Sequence, residues 1–67
     1  MGFSENLRKR REERKVSQIQ LAELVGVSQG LISQYETGIC QPSVTLGVVI
    51  AKALDVTAEE LVGGVKA

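Results

Sequence analysis

Between Ser17 and Gly38 the chain is punctuated at short, regular intervals: Ser17, Gly26, Ser28 and Gly38 fence off two apolar segments, each too short to be more than a few helical turns. A serine ahead of such a segment can accept a hydrogen bond from the unpaired amides of the first turn. A glycine behind it enters the left-handed conformation that ends a helix without steric cost. Ser17 and Gln20 strengthen the first start, because serine and glutamine three apart form a reciprocal capping box. Two short helices joined by a tight turn at Gly26 are therefore expected, and the rest of the chain must pack around them.

Composition narrows how it can do so. Sixty-seven residues make one domain, expected to span 1–67, and a chain this short buries only about 60% of its unfolded surface. Its aliphatic content with only 3% aromatic residues points to an all-α bundle whose core is Leu, Ile, Val and Ala. The chain has no histidine and a single cysteine, Cys40, so it offers neither a zinc-ligand set nor a histidine base. No metal or cofactor is expected, and Cys40 reads as a bystander loop thiol. Without a glycine-rich phosphate cradle after a strand or a convergent carboxylate pair, no catalytic constellation can be assembled. No apolar run approaches the roughly 20 residues needed to span a bilayer, and the N-terminus lacks a signal-peptide core, so a cytoplasmic location without membrane contact is expected.

The net charge is zero, which by itself argues against a polyanionic partner. The charge is uneven, however. Residues 1–15 hold Arg8, Lys9, Arg10, Arg11, Arg14 and Lys15 against Glu5, Glu12 and Glu13, leaving that end basic and the remainder acidic.

Taken in order, Phe3, Leu7, Arg11 and Arg14 fall at helical spacing, predicting a first helix from about Ser4, its expected N-cap, to Arg14. Helix 2 should bury Ile19, Leu21, Ala22, Leu24 and Val25. Helix 3 should bury Leu31, Ile32 and Tyr35, leaving Ser28, Gln29, Ser33 and Gln34 outward; Gly30 within it weakens the helix or admits a close approach. Pro42 and Ser43 introduce a fourth helix to about Leu54, with Leu46, Val49, Ile50, Ala53 and Leu54 inward and Gly47 admitting a close neighbour. Thr57 and Glu60 form a second capping box ahead of a short fifth helix, Ala58 to Val62, ended by Gly63 and Gly64. Val44, Val48, Val62 and Val65 do not all fit inside so small a bundle. They read either as contacts to a second subunit or as scattered surface valines.

The combination Leu7-Arg8, Arg11-Glu12-Glu13, Ser17-Gln18, Leu21-Ala22, Val25-Gly26-Val27-Ser28, Ile32-Ser33, Tyr35-Glu36, Gly38, Pro42-Ser43, Ala51-Lys52-Ala53-Leu54 and Val56 resembles the lambda-repressor and Cro-like (XRE) helix-turn-helix family over almost the whole chain. The resemblance implies a compact five-helix bundle that places helix 3 in the major groove of double-stranded DNA. By position, Gln29 and Gln34 match base-reading residues, with Ser28 and Ser33 as lesser ones. Gln18 and Thr37 match residues that hold the phosphate backbone, and Arg8, Arg14 and Lys15 are basic residues of the same end. Arg11 and Glu36 match an ion pair joining helices 1 and 3. A glutamine donates and accepts at once, which suits the adenine edge.

The resemblance also implies a transcriptional regulator, expected to repress from a palindromic operator as a homodimer, with no second domain to sense a small-molecule ligand. Four departures weaken it: Arg10 replaces an apolar residue, Lys15 a glycine, Gly30 a base-contacting side chain, and Ile39-Cys40-Gln41 a loop that commonly carries cations. These departures and the zero net charge motivate the alternative of a protein-interaction module, antitoxin-like or antirepressor-like, built on the same fold.

Overall fold

The computed structural model describes residues 2–62, with the side chain of Val62 excepted. Five helices follow in order: α1 Phe3–Glu13, α2 Gln18–Val25, α3 Gln29–Thr37, α4 Val44–Ala53 and α5 Ala58–Val62. There is no strand among the described residues. Caps account for most of these boundaries. The Ser17 hydroxyl accepts from the Gln20 amide at 3.0 Å while the Gln20 side chain accepts from the Ser17 amide at 2.9 Å. Ser28 and Ser43 accept from Leu31 and Leu46, and Thr57 and Glu60 complete the second box. The first helix differs from expectation. Gly2, not Ser4, is its N-cap and makes no side-chain cap bond; Ser4 lies inside the first turn and its hydroxyl faces Gly38 at the end of α3.

Four helices end in the same way. A residue in the left-handed region, Lys15, Gly26, Gly38 or Asp55, turns the chain back. The next amide then reaches the carbonyl five residues earlier: Val16 to Arg11, Val27 to Ala22, Ile39 to Gln34 and Val56 to Ala51, at 3.0 to 3.2 Å. Val16, Val27 and Val56 tuck their side chains against the core, whereas Ile39 is left exposed. Two of the four turning residues are not glycine, with φ of +58° at Lys15 and +59° at Asp55. Aspartate tolerates this conformation better than lysine does. Lys15→Gly is therefore expected to stabilise the fold by about 0.5 to 1 kcal/mol, and Asp55→Gly by less, because glycine also gains freedom in the unfolded chain. A urea midpoint for Lys15→Gly at or below that of the parent would refute the strain argument.

The core is Leu7, Leu21, Ala22, Ile32, Tyr35, Ile50, Ala51, Leu54 and Leu61. Small Ala22 and Ala51 belong to this core, in which α2 packs on both α3 and α4. The apolar face expected of α2 is narrower than its sequence: Leu21, Ala22 and Val25 share one arc of about 100°, and Ile19 and Leu24 fall outside it on either side. They are 55% and 62% exposed. Val49 lies at the edge of the inner face of α4, 38% exposed, and Ala51 on the opposite edge is buried instead. Gly47 admits no close neighbour, since a side chain there would meet nothing within 4 Å. Arg10 avoids the core by lying along the α1 surface against Glu13 at 3.1 Å. Buried Asn6, which sequence periodicity does not single out, donates from Nδ2 to the Leu61 carbonyl at 3.3 Å and pins α5 to α1.

Burial pushes the phenol of Tyr35 above its usual range, with a smaller contribution from the neighbouring Cys40 thiol. A pKa raised by folding means that this part of the stability is intact below about pH 10 and is lost as the pH rises through the folded value. The fall in thermal midpoint across that range should be shallower in Tyr35→Phe. Tyr35 is the only tyrosine, so its absorbance titration reports the shift directly. Ionisation at the pH of free tyrosine would contradict it.

Candidate nucleic-acid interface

Helix α3 buries Ile32 and Tyr35 and turns Gln29, Gly30, Gln34 and Thr37 to solvent, with Ser33 half-buried between them. At 100° per residue these five positions form one continuous stripe, all small, hydroxyl or amide in character. The turn at Gly26 and the Ser28 cap set the angle at which that stripe leaves α2.

Under the stripe lies a hydrogen-bonded relay joining three helices. Arg11 of α1 makes a two-pronged ion pair with Glu36 of α3, through Nε to Oε2 and through Nη2 to Oε1 at 3.1 Å. Its remaining Nη1 donates to the Val16 carbonyl at 2.8 Å. Both side chains are largely withdrawn from water, at 11% and 4% exposure. The hydrogen bond to Glu36 raises the Arg11 pKa further and outweighs the opposing effect of burial. Glu36 Oε1 also accepts from Gln18 Nε2 at 3.0 Å, and Gln18 Oε1 accepts from Gln29 Nε2 at 3.2 Å. The structure thus brings Arg11, Glu36, Gln18 and Gln29 into one chain of contacts. Nothing in their spacing announces the two glutamine links, because they exist only once α1, α2 and α3 meet.

Gln34 stands apart from the relay. Its Oε1 lies 3.7 Å from the Cys40 thiol, so that cysteine, read from sequence as a bystander, touches a residue of the outward stripe. The Thr37 hydroxyl turns back to the Gln34 carbonyl at 3.2 Å. Ser28 uses its oxygen for the Leu31 amide and keeps its O–H for donation.

The basic end is less basic than it reads. Arg8 pairs with Glu12 at 3.2 Å and Arg10 with Glu13, both on the exposed side of α1. Arg14 donates to the Asp55 carbonyl at 2.9 Å, tying α1 to the turn before α5 rather than joining the Gln18 cluster. Among the described residues Lys9, Arg14, Lys15 and Lys52 are in no ion pair. No group of three or more His, Cys, Asp or Glu side chains among them could hold a metal ion.

The sequence profile of the helix-turn-helix family matches residues 7–61, which contain the whole of this arrangement. The chain belongs to the helix-turn-helix family. A family relative in Mycobacterium tuberculosis, an uncharacterised HTH-type transcriptional regulator, is 49% identical over 55 residues, or 82% of this chain and 39% of the relative. The chain therefore spans about two fifths of that protein. Among solved structures, the P22 c2 repressor in complex with a synthetic operator superposes with a TM-score of 0.89 at 33% identity, covering 96% of this chain and 97% of the repressor chain. Helix-turn-helix structure of the same kind also occurs in a larger protein, FeII HppE in complex with substrate. There the TM-score is 0.86 at 31% identity, but the match covers 91% of this chain and only 35% of that one.

Proposed function

We propose that residues 1–67 act as one sequence-specific DNA-binding domain of a transcriptional regulator, a repressor, with α3 in the major groove of double-stranded DNA. The observation that carries this reading is the unbroken polar stripe of α3, backed by a relay that holds Gln29 at its N-terminal end. Gln29 and Gln34 read base edges, with Ser28 and Ser33 adding single hydrogen bonds. Gln18, Thr37, Arg8, Arg14 and Lys15 hold the phosphate backbone and set the register. The exposed pair of Arg8 with Glu12 holds it only weakly, so exchange of Glu12 for a phosphate costs little.

Two copies bind a palindromic operator as a homodimer, with recognition helices about 34 Å apart. Val44, 85% exposed, and Val48 support a subunit contact beside Phe3, Pro42 and Leu61. The expected contributions of Val62 and Val65 lie outside the described side chains. The reading places the action on DNA in the cytoplasm, with no catalytic step, cofactor or small-molecule ligand; no helix among the described residues is long and apolar enough to cross a membrane.

The cations consumed by intramolecular pairs favour a second reading, a module on the same fold that works through a protein partner. Selection of bound duplexes from a random pool at low salt separates the two. A symmetric motif with half-sites one helical turn apart is expected; enrichment of no motif would reject DNA reading in favour of the partner.

A further inference from the structure

The four left-handed helix ends are alike in their main chain but not in what they do with the residue that follows. In an end of this kind an apolar residue after the turn packs over the position whose carbonyl its amide binds. For Val16, Val27 and Val56 those positions are Arg11, Ala22 and Ala51, all withdrawn from water, and the three valines are drawn inward with them. For Ile39 the position is Gln34, whose carbonyl accepts its amide at 3.0 Å and whose side chain belongs to the outward stripe. The same turn therefore carries Ile39 to the reading side of the helix. It is 74% exposed, the one large apolar side chain left exposed on α3 or the turn that ends it. The next residue fastens the segment to Gln34 again, with the Cys40 thiol 3.7 Å from Oε1.

From Gly38 to Val44 the chain carries no charge, so this edge has no cation with which to pair a phosphate. Among the donors and acceptors of the major groove there is one apolar group, the 5-methyl of thymine. We infer that Ile39 is a specificity-determining residue that packs on the 5-methyl of a pyrimidine, at the base pair read by Gln34 or the pair next to it. The inference rests on the DNA-reading role proposed above. Such a contact counts a methyl group and not a base. Thymine and 5-methylcytosine satisfy it, whereas uracil and cytosine do not, and binding responds to methylation of a cytosine standing at that place.

The test uses the full chain. Duplex selection from a random pool gives the motif, and repeating it with Gln34→Ala and Ile39→Ala identifies the base pairs that each residue governs. The turn is made by main-chain groups, so Ile39→Ala should keep the parental circular dichroism and urea midpoint. Uracil is then placed for the thymine of one half-site. The parent should lose about threefold to fivefold in affinity, the worth of one buried methyl, and Ile39→Ala less than about 1.5-fold. Cytosine is next compared with 5-methylcytosine at the same place, which separates the methyl from the other groups of thymine. The parent should favour the methylated duplex by the same factor, and Ile39→Ala should not distinguish the two. An equal uracil penalty in parent and variant overturns the inference and leaves DNA reading intact, as does a parent indifferent to uracil or to 5-methylcytosine. A fall in Ile39→Ala affinity for every sequence alike, with the uracil penalty retained, overturns it in favour of a subunit contact. Absence of any motif in the parent removes DNA reading and the inference together.

Discussion

Replacing Glu36 with alanine is expected to remove a large part of the protein's stability. The substitution leaves the Arg11 guanidinium nearly buried with its counter-ion gone and strands Gln18 Nε2. Removing one partner of such a pair costs about 3 to 5 kcal/mol. A chain of this length has a total stability of roughly 3 to 10 kcal/mol, so the loss takes about a third of it or more. Urea unfolding followed by circular dichroism measures this. The companion variant Arg11→Met with Glu36→Leu should recover most of the stability, since replacing both charges by apolar groups of similar volume is close to neutral. A loss of less than about 1 kcal/mol in Glu36→Ala would place the pair among exposed ion pairs and refute the buried-charge argument.

The second large effect falls on binding. Gln34→Ala should lower affinity for the selected operator about tenfold or more, in line with the roughly 1 to 3 kcal/mol carried by a bidentate amide contact to a base. The discrimination lost should be confined to one base pair per half-site. Affinity for unrelated DNA should stay the same, because that term comes from phosphates. Fold stability should move by no more than about 0.5 kcal/mol, since Gln34 is exposed and its side chain meets the Cys40 thiol at 3.7 Å. Unchanged operator affinity would remove Gln34 from the reading face.

The two substitutions mark the division between what a linear sequence displays and what it hides. Helix limits at Ser17, Gly26, Ser28, Gly38, Ser43 and Thr57 are legible because a cap acts on amides within one turn of itself. Ser4 misleads as a cap because Gly2 is extended and starts the helix two residues earlier. Ile19, Leu24 and Val49 mislead because periodicity shows which side is apolar but not how wide the neighbouring helix is. Of the candidate site, the outward placing of Gln29 and Gln34 on α3 follows from spacing alone. The Gln18–Gln29 link, the Cys40 contact with Gln34 and the turn of Arg14 toward Asp55 do not, since each joins segments whose relative placement is set by the core.

The pairing of α1 cations with glutamates of the same helix bears on how such a domain would search a chromosome. Weak, sequence-blind attachment to DNA comes from counterions displaced by unpaired Lys and Arg. A surface that has spent Arg11 on a buried partner and pairs Arg10 with Glu13 would hold random DNA loosely and dwell briefly at wrong sites. Target location then proceeds by repeated encounters from solution rather than by long excursions along the duplex. The margin between right and wrong sequences would then rest on the few amide contacts proposed for α3.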